Sequence, residues 1–169
     1  MDLSALKAVG VDEIAWGRGH RYLTLVYDIG GEPRRLLAVA EERTEVSLRS
    51  CLEGLGESVI KQVEYVCSDM WRPYLNVIAS MLGDAIHVLD RFHVMHQFGK
   101  ALDEVRAAEA KRLERDGYEP VLQKSRWCLL KRPENLTDQQ TVKLSEVLKY
   151  NLRTVRAYLL REEFQRLWE

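Results

Sequence analysis

At Thr44 the hydrophobic period of this chain changes, and that change restricts the fold more than any other feature of its 169 residues. Before it, apolar residues run in short β-branched and aromatic stretches: AVGVDEIAW, RYLTLVYDI, then a Gly30-Gly31 turn and RRLLAVA. These read as three strands with short connections, since Gly-Gly is a hairpin signal. After it, Leu48, Cys51, Leu52 and Leu55 recur at three- and four-residue spacing, which predicts a helix with Thr44 as its N-cap.

Val63 to Ser68 then returns to strand character, and Pro73 opens a helix through about Leu82, proline being tolerated in a first turn. AIHVLD is a short fifth strand. Beyond it, Val94, Phe98, Ala101, Leu102, Val105 and Ala108 form one stripe of a long helix that should stop near RDGYEP. The last third is helical. Thr137 and Gln140 suit a capping box, with Leu144, Val147 and Leu148 behind it, and Leu152, Val155, Leu159, Phe164 and Leu167 line a final helix.

This order limits the topology. Three leading strands form an antiparallel meander, while helices after strands three and four demand crossovers. Right-handed crossovers follow if strand four lies parallel beside strand one, giving a mixed five-stranded sheet in the order 3-2-1-4-5. The fold is α/β (α+β), with helices flanking the sheet and an all-helical C-terminal extension. Adjacent strands lie about 4.8 Å apart, so Asp12 in strand one and Asp69 at the end of strand four are expected to face each other.

Two carboxylates that close repel unless a cation lies between them. Hard oxygen donors suit Mg²⁺ or Mn²⁺, and a pair of such ions can clamp an in-line phosphoryl displacement. Asp69 could instead cap the helix that follows, and both roles could hold. The charge distribution suits the metal reading: residues 1–90 carry 9 Lys/Arg against 14 Asp/Glu, and residues 91–132 carry 10 against 6. An acidic half beside a basic stretch fits a cation site next to a polyanion surface, and solvated helix faces account for it equally well.

Several ordered stretches carry a resemblance. VGVDEIAWGRGHRYLTLVYD, YVCSDMWRPY and VLDRFHVMHQFGKALDEVR resemble the catalytic core of DDE transposases of bacterial insertion sequences, in the ISL-three group. LLKRPENLTDQQ and AYLLREEFQRLWE resemble the helical region of the same group. The resemblance implies an RNase H-like core over residues 1–116, and the start of a helical insertion over 117–169. It further implies Mg²⁺ or Mn²⁺ as cofactor, double-stranded DNA as substrate, and Asp12 and Asp69 as the first two metal-binding acids. The family's third acid, a Glu, is expected after the insertion, and Glu162 and Glu163 match the helical region instead. The zinc-ribbon and helix-turn-helix segments that precede such cores are not found here. A core fragment, inactive in transposition alone, is therefore expected.

Other groups have narrower readings. Asp90, His93 and His96 fall within DRFHVMH, where Asp90 is a further candidate metal ligand or an anchor for Arg91. The two histidines share a helix face and could bind a transition metal. Glu13 should point to the face of its strand opposite Asp12 and pair with a basic side chain. Arg18 and Arg21, in the first hairpin, and Lys100, Arg106, Lys111 and Arg112, on the long helix, are candidate phosphate contacts, though Glu104, Glu109 and Glu114 are interleaved with the latter. Trp16 and Trp71 flank the two aspartates and are expected to bury their rings, with base stacking as the alternative.

Three widely spaced cysteines, no run near 20 apolar residues and no export signal suggest reduced thiols in the cytoplasm, away from membranes. Two other readings remain. One is a non-catalytic assembly fragment whose residues 133–169 pair between two copies as a homodimer. The other is a stand-alone nuclease completing its site with Asp90.

Overall fold

The computed structural model describes residues 2–168. Five strands, β1 (Ala8–Gly17), β2 (Arg21–Asp28), β3 (Arg35–Glu41), β4 (Tyr65–Ser68) and β5 (Ile86–Leu89), form one sheet in the order β3-β2-β1-β4-β5. The first three pair antiparallel, and β4 and β5 join parallel to β1. This is the strand order that the succession of elements predicts, and it agrees with the RNase H-like core that the resemblance implies. Helices α1 (Glu45–Leu55), α2 (Glu57–Lys61) and α3 (Arg72–Met81) make the crossovers, and α4 (Arg91–Arg115), α5 (Arg126–Leu130), α6 (Asp138–Val147) and α7 (Arg153–Gln165) follow. Internal contacts divide the chain into two compact units, Met1–His93 and Val94–Glu169.

In the first unit, strand alternation sends Val9 and Val11 of β1 to one face, where they join Val26 and Val66. Leu48 and Leu52 of α1 and Tyr74 and Val77 of α3 close over them, all buried. Each such side chain contributes about 1.5–3 kcal/mol. The opposite face is more open, with Tyr65, Ile86 and Val88 exposed. Thr44 caps α1 as expected, its hydroxyl accepting from Ser47 N at 3.0 Å. The two-residue link before it is tightly held. Glu42 adopts φ 68°, its N–H donates to Tyr22 O at 2.8 Å, and its carbonyl accepts from the Thr24 hydroxyl at 2.7 Å. Those bonds offset the roughly 1–2 kcal/mol cost of a left-handed residue and fix where Arg43 emerges.

The second unit packs Leu102 of α4 with Cys128 and Leu129 of α5, Leu144 of α6 and Tyr158 of α7. A second cluster joins Leu122, Val147, Leu152 and Val155. The capping box at Thr137 and Gln140 is present. Two stripes depart from expectation. On α4, Ala101 and Ala108 are exposed, and the buried positions are Leu102 and Glu109, because the packed face is centred one position further round the helix. On α7, Val155, Tyr158 and Arg161 point inward, while Leu159 and, beyond the helix, Leu167 are 53% and 72% exposed. Arg161 was invisible to an apolar count. Its guanidinium donates to Leu130 O at 3.1 Å and answers carbonyls that the end of α5 leaves unpaired.

Glu109 does the matching work at a helix start. The N-cap of α7 is Leu152, which has no oxygen to offer. The Glu109 carboxylate, from α4, accepts instead from Arg153 N at 3.1 Å, Thr154 N at 2.8 Å and the Thr154 hydroxyl at 2.8 Å. Burial pushes its carboxyl up, but the two Thr154 bonds, the Arg153 amide and Arg112 together hold it below the ordinary value. A lowered carboxylate stabilises the fold above its unfolded value, and that contribution is lost as pH falls through the folded one. Glu109→Gln should therefore flatten the acid limb of a urea-midpoint profile below about pH 4.5. Glu109→Ala should cost about 2–3 kcal/mol at neutral pH in the same measurement.

Candidate active site

The parallel register runs Gly10↔Cys67 between β1 and β4, and Cys67↔Val88 between β4 and β5. Two residues further along each chain stand Asp12, Asp69 and Asp90. Asp12 in β1, Asp69 just past β4 and Asp90 just past β5 thus stand at one level of the sheet, at the end where β4 and β5 stop. Asp90 N donates to Ser68 O at 2.8 Å and continues the ladder one step past the strands.

Their carboxylates have different partners. Oδ1 of Asp12 accepts from Glu13 N at 2.8 Å. Oδ1 of Asp90 accepts from Phe92 N at 2.6 Å and His93 N at 3.4 Å, which makes Asp90 a cap for the first turn of α4. Asp12 and Asp90 share surroundings. Burial raises the Cys67 thiol, and the charges of Asp90 and Asp12 raise it further. Burial likewise raises the Tyr27 hydroxyl, with Asp12, Cys67 and Asp90 adding to it. The Tyr27 ring lies against Gly10, where a Cβ would overlap it, so glycine there is what lets the ring cross β1.

Asp69 belongs to a different group. Its Oδ1 accepts from Trp71 N at 2.9 Å, in the turn leading to α3, whose N-cap is Trp71. Its Oδ2 lies 2.7 Å from Arg43 Nη2, and Arg43 Nη1 lies 3.0 Å from Glu13 Oε1. One guanidinium bridges two carboxylates. Glu13 sits with Val9 and Val11 on the alternation of β1 and pairs with a basic side chain, as its position predicts. Arg43 also stacks over the Trp71 ring at 4.3 Å, and Trp71 packs edge-on against Tyr74 at 4.8 Å. Burial raises Glu13, against the opposing pull of Arg43, with Asp69 and Asp12 adding to the rise. Two polar atoms of this group, Glu13 Oε2 and Arg43 Nε, are buried without a hydrogen-bond partner among the described residues.

Arg43 is the residue that sequence reasoning missed. Its one signal was the expectation that Glu13 needs a basic partner, which does not say which of the chain's 25 Lys and Arg residues supplies it. The tryptophans divide. Trp71 packs against the core as expected, but Trp16 is 53% exposed, in the last part of β1, where residues 14–17 are all exposed. Arg21 sits 5.7 Å over the Trp16 ring.

For a hard divalent ion, the donor chemistry of Asp12 and Asp90 fits, since each has one oxygen outside the backbone hydrogen bonds just described. Asp69 does not fit in this arrangement, because a cation already lies at its Oδ2. Among the described residues no three His, Cys, Asp or Glu side chains are gathered closely enough to hold a metal. That covers the Asp90, His93 and His96 set, where His93 Nδ1 is 3.7 Å from Asp90 Oδ1, beyond hydrogen-bond reach. Of the candidate phosphate contacts, Arg18, Arg21, Lys100 and Lys111 are exposed. Arg106 is 17% exposed and bonded to Asp103 at 2.7 Å, and Arg112 pairs with Glu109 at 3.1 Å.

A five-stranded mixed sheet in this order, flanked by helices, is the architecture of an RNase H-like core. The chain belongs to the transposase family of the ISL3 type of DDE enzymes, whose profile matches residues 9–169. It is 34% identical over 169 residues to the transposase for insertion sequence element IS1001 of Bordetella parapertussis, covering 99% of this chain and 41% of that protein. It is 32% identical over 185 residues to the transposase for IS1557 of Mycobacterium tuberculosis, covering 96% and 41%. The chain thus spans about two-fifths of the length of these relatives. Among solved structures, it aligns with a simian T-cell lymphotropic virus intasome in complex with PP2A regulatory subunit B56 gamma, at 12% identity and TM-score 0.37, over 89% of this chain and 57% of that one. It also aligns with the catalytic core domain of BIV integrase at 11% identity and TM-score 0.36, over 96% and 99%.

Tyr74 reports on the Arg43 side of the row. Burial pushes its hydroxyl up to about 12, against a smaller lowering by its 2.7 Å bond with Thr24, and Glu13 and Asp69 add to the rise. A raised tyrosine favours the neutral form in the fold, so its contribution is present below the ordinary value of 10 and is lost as pH rises through about 12. Tyr74→Phe should make the alkaline limb of the stability profile shallower between those values, and should delete the highest-titrating phenol in an ultraviolet absorbance titration.

Proposed function

We propose that this chain is the catalytic core of a transposase that, in the complete protein, cleaves double-stranded DNA at element ends and transfers the 3′ strand to target DNA. What supports the reading is the family match, together with a β1-β4-β5 register that brings Asp12, and Asp69 and Asp90 just past the ends of β4 and β5, to one level of the sheet. The core is assigned to residues 1–116, and residues 117–169 to the start of a helical insertion. Asp12 and Asp90 would hold Mg²⁺ or Mn²⁺ through their outer carboxylate oxygens, and Asp69 would join them once free of Arg43. When bound, such an ion activates a water or 3′-hydroxyl and stabilises the leaving oxygen.

The chain's own groups do the rest. Asp90 fixes the first turn of α4 while presenting its second oxygen to the row. The Tyr27 ring covers Gly10, two residues before Asp12 on the same face of β1. Arg18, Arg21, Lys100 and Lys111, exposed and not ion-paired among the described residues, are the proposed phosphate contacts, positioning DNA without reading its sequence. No helix of the described residues is long and apolar enough to cross a membrane, which is compatible with the proposed cytoplasmic location. The proposed assembly is a homodimer.

The reading is tested in the full-length protein with a labelled transposon-end duplex and Mn²⁺. Asp12→Asn and Asp69→Asn should each lower strand cleavage by about 100-fold or more, while Asp90→Asn should lower it and raise the Mn²⁺ concentration required. Cleavage by Asp12→Asn at the unsubstituted rate would overturn the assignment.

A further inference from the structure

The disagreement between Asp69 and a metal ion is informative in itself. Asp69 is 5% exposed, and a buried carboxylate needs a positive charge close by. Arg43 supplies it at 2.7 Å. Yet Arg43 is not held as a purely structural arginine would be. Its Nε is buried without a hydrogen-bond partner among the described residues, and so is Glu13 Oε2, the oxygen turned from its 3.0 Å contact with Nη1. The guanidinium uses one edge for two acids and rests its plane on Trp71, 4.3 Å away. Its base is anchored firmly, since Glu42 is pinned on one side and Thr44 caps α1 on the other. The side chain thus leaves a fixed Cα, lies with its plane on the Trp71 face and has Glu13 as a second acid within reach.

We propose that Arg43 is the resident counter-cation of Asp69 and a positioning residue of the acid row. It holds Asp69 on the Glu13 side, and a divalent ion reaches Asp69 only when the guanidinium withdraws to Glu13 alone. Arg43 and the ion compete for one oxygen. The protein without metal thereby avoids an uncompensated buried carboxylate, and the Asp69 carboxylate turns toward Asp12 and Asp90 only when a cation of higher charge displaces the guanidinium. This inference rests on the metal-dependent reading above.

Competition makes a prediction that simple structural support does not. The test is Mn²⁺ binding to the full chain, followed by electron paramagnetic resonance of free Mn²⁺, with Tm measured alongside. Arg43→Gln should bind Mn²⁺ about tenfold more tightly than the unsubstituted protein, since a like charge at this distance is removed. Without metal its Tm should fall, and Mn²⁺ should restore most of the loss, because the ion takes over the counter-charge. If Arg43→Gln does not fold, Glu13→Gln with Arg43→Gln removes one of the two stranded acids and should show the same tightening. Arg43→Lys, which keeps the charge, should bind Mn²⁺ like the unsubstituted protein.

Unchanged or weaker Mn²⁺ binding in both glutamine variants, with binding still abolished by Asp12→Asn, would overturn the role of Arg43 and leave the metal site standing. Absence of Mn²⁺ binding in every folded variant would overturn both.

Discussion

The parallel pairing of β1 with β4 is the constraint on which the rest of the first unit depends. Its register, Val9 beside Val66 and Gly10 beside Cys67, sends the valines into the core and brings Asp12 level with Asp69. Side chains alternate with a period of two, so a slip of one residue would turn Val66 outward and carry the acid with it. The same ladder passes through β4 to β5 and sets Asp90 at the end of the row. Packing and chemistry are therefore specified together. No rearrangement of the sheet could disturb one without the other.

Across that row the charges sort by face. Asp12 and Asp90 lie with Tyr27 and Cys67, whose hydroxyl and thiol are raised first by burial and then further by these two charges. Asp69 lies with Glu13, Arg43 and Tyr74, where a guanidinium answers two carboxylates. Glu13 and Asp12 are neighbours in sequence, and the pleat alone places them in different electrostatic surroundings. Removing Arg43 would leave the buried Asp69 and the half-buried Glu13 without the cation they share.

Much of this was legible before any coordinates. The sheet order followed from three early strands and two crossovers, and the observed order agrees. Thr44 and the Thr137–Gln140 box announced their helices through side-chain chemistry that acts within three residues. What failed was non-local. Glu109 looked like one more solvated charge on α4, yet it is 4% exposed, because the groups it serves lie on another helix. Arg43 was hidden for the same reason: its two partners are on β1 and at the end of β4. The apolar stripes of α4 and α7 were misplaced because Glu109 and Arg161 occupy buried positions that a hydrophobic count assigns to Ala108 or Leu159.

The Glu109 cap also bears on how the second unit comes into being. A helix normally carries its own starting signal, but α7 begins at Leu152 and borrows an acceptor made 44 residues earlier. Such a helix has little reason to nucleate alone, since its first amides would stay in competition with water. During synthesis Glu109 emerges long before Thr154 and remains hydrated until that partner arrives. The start of α7 is therefore expected to form only after α4 is in place to supply its acceptor.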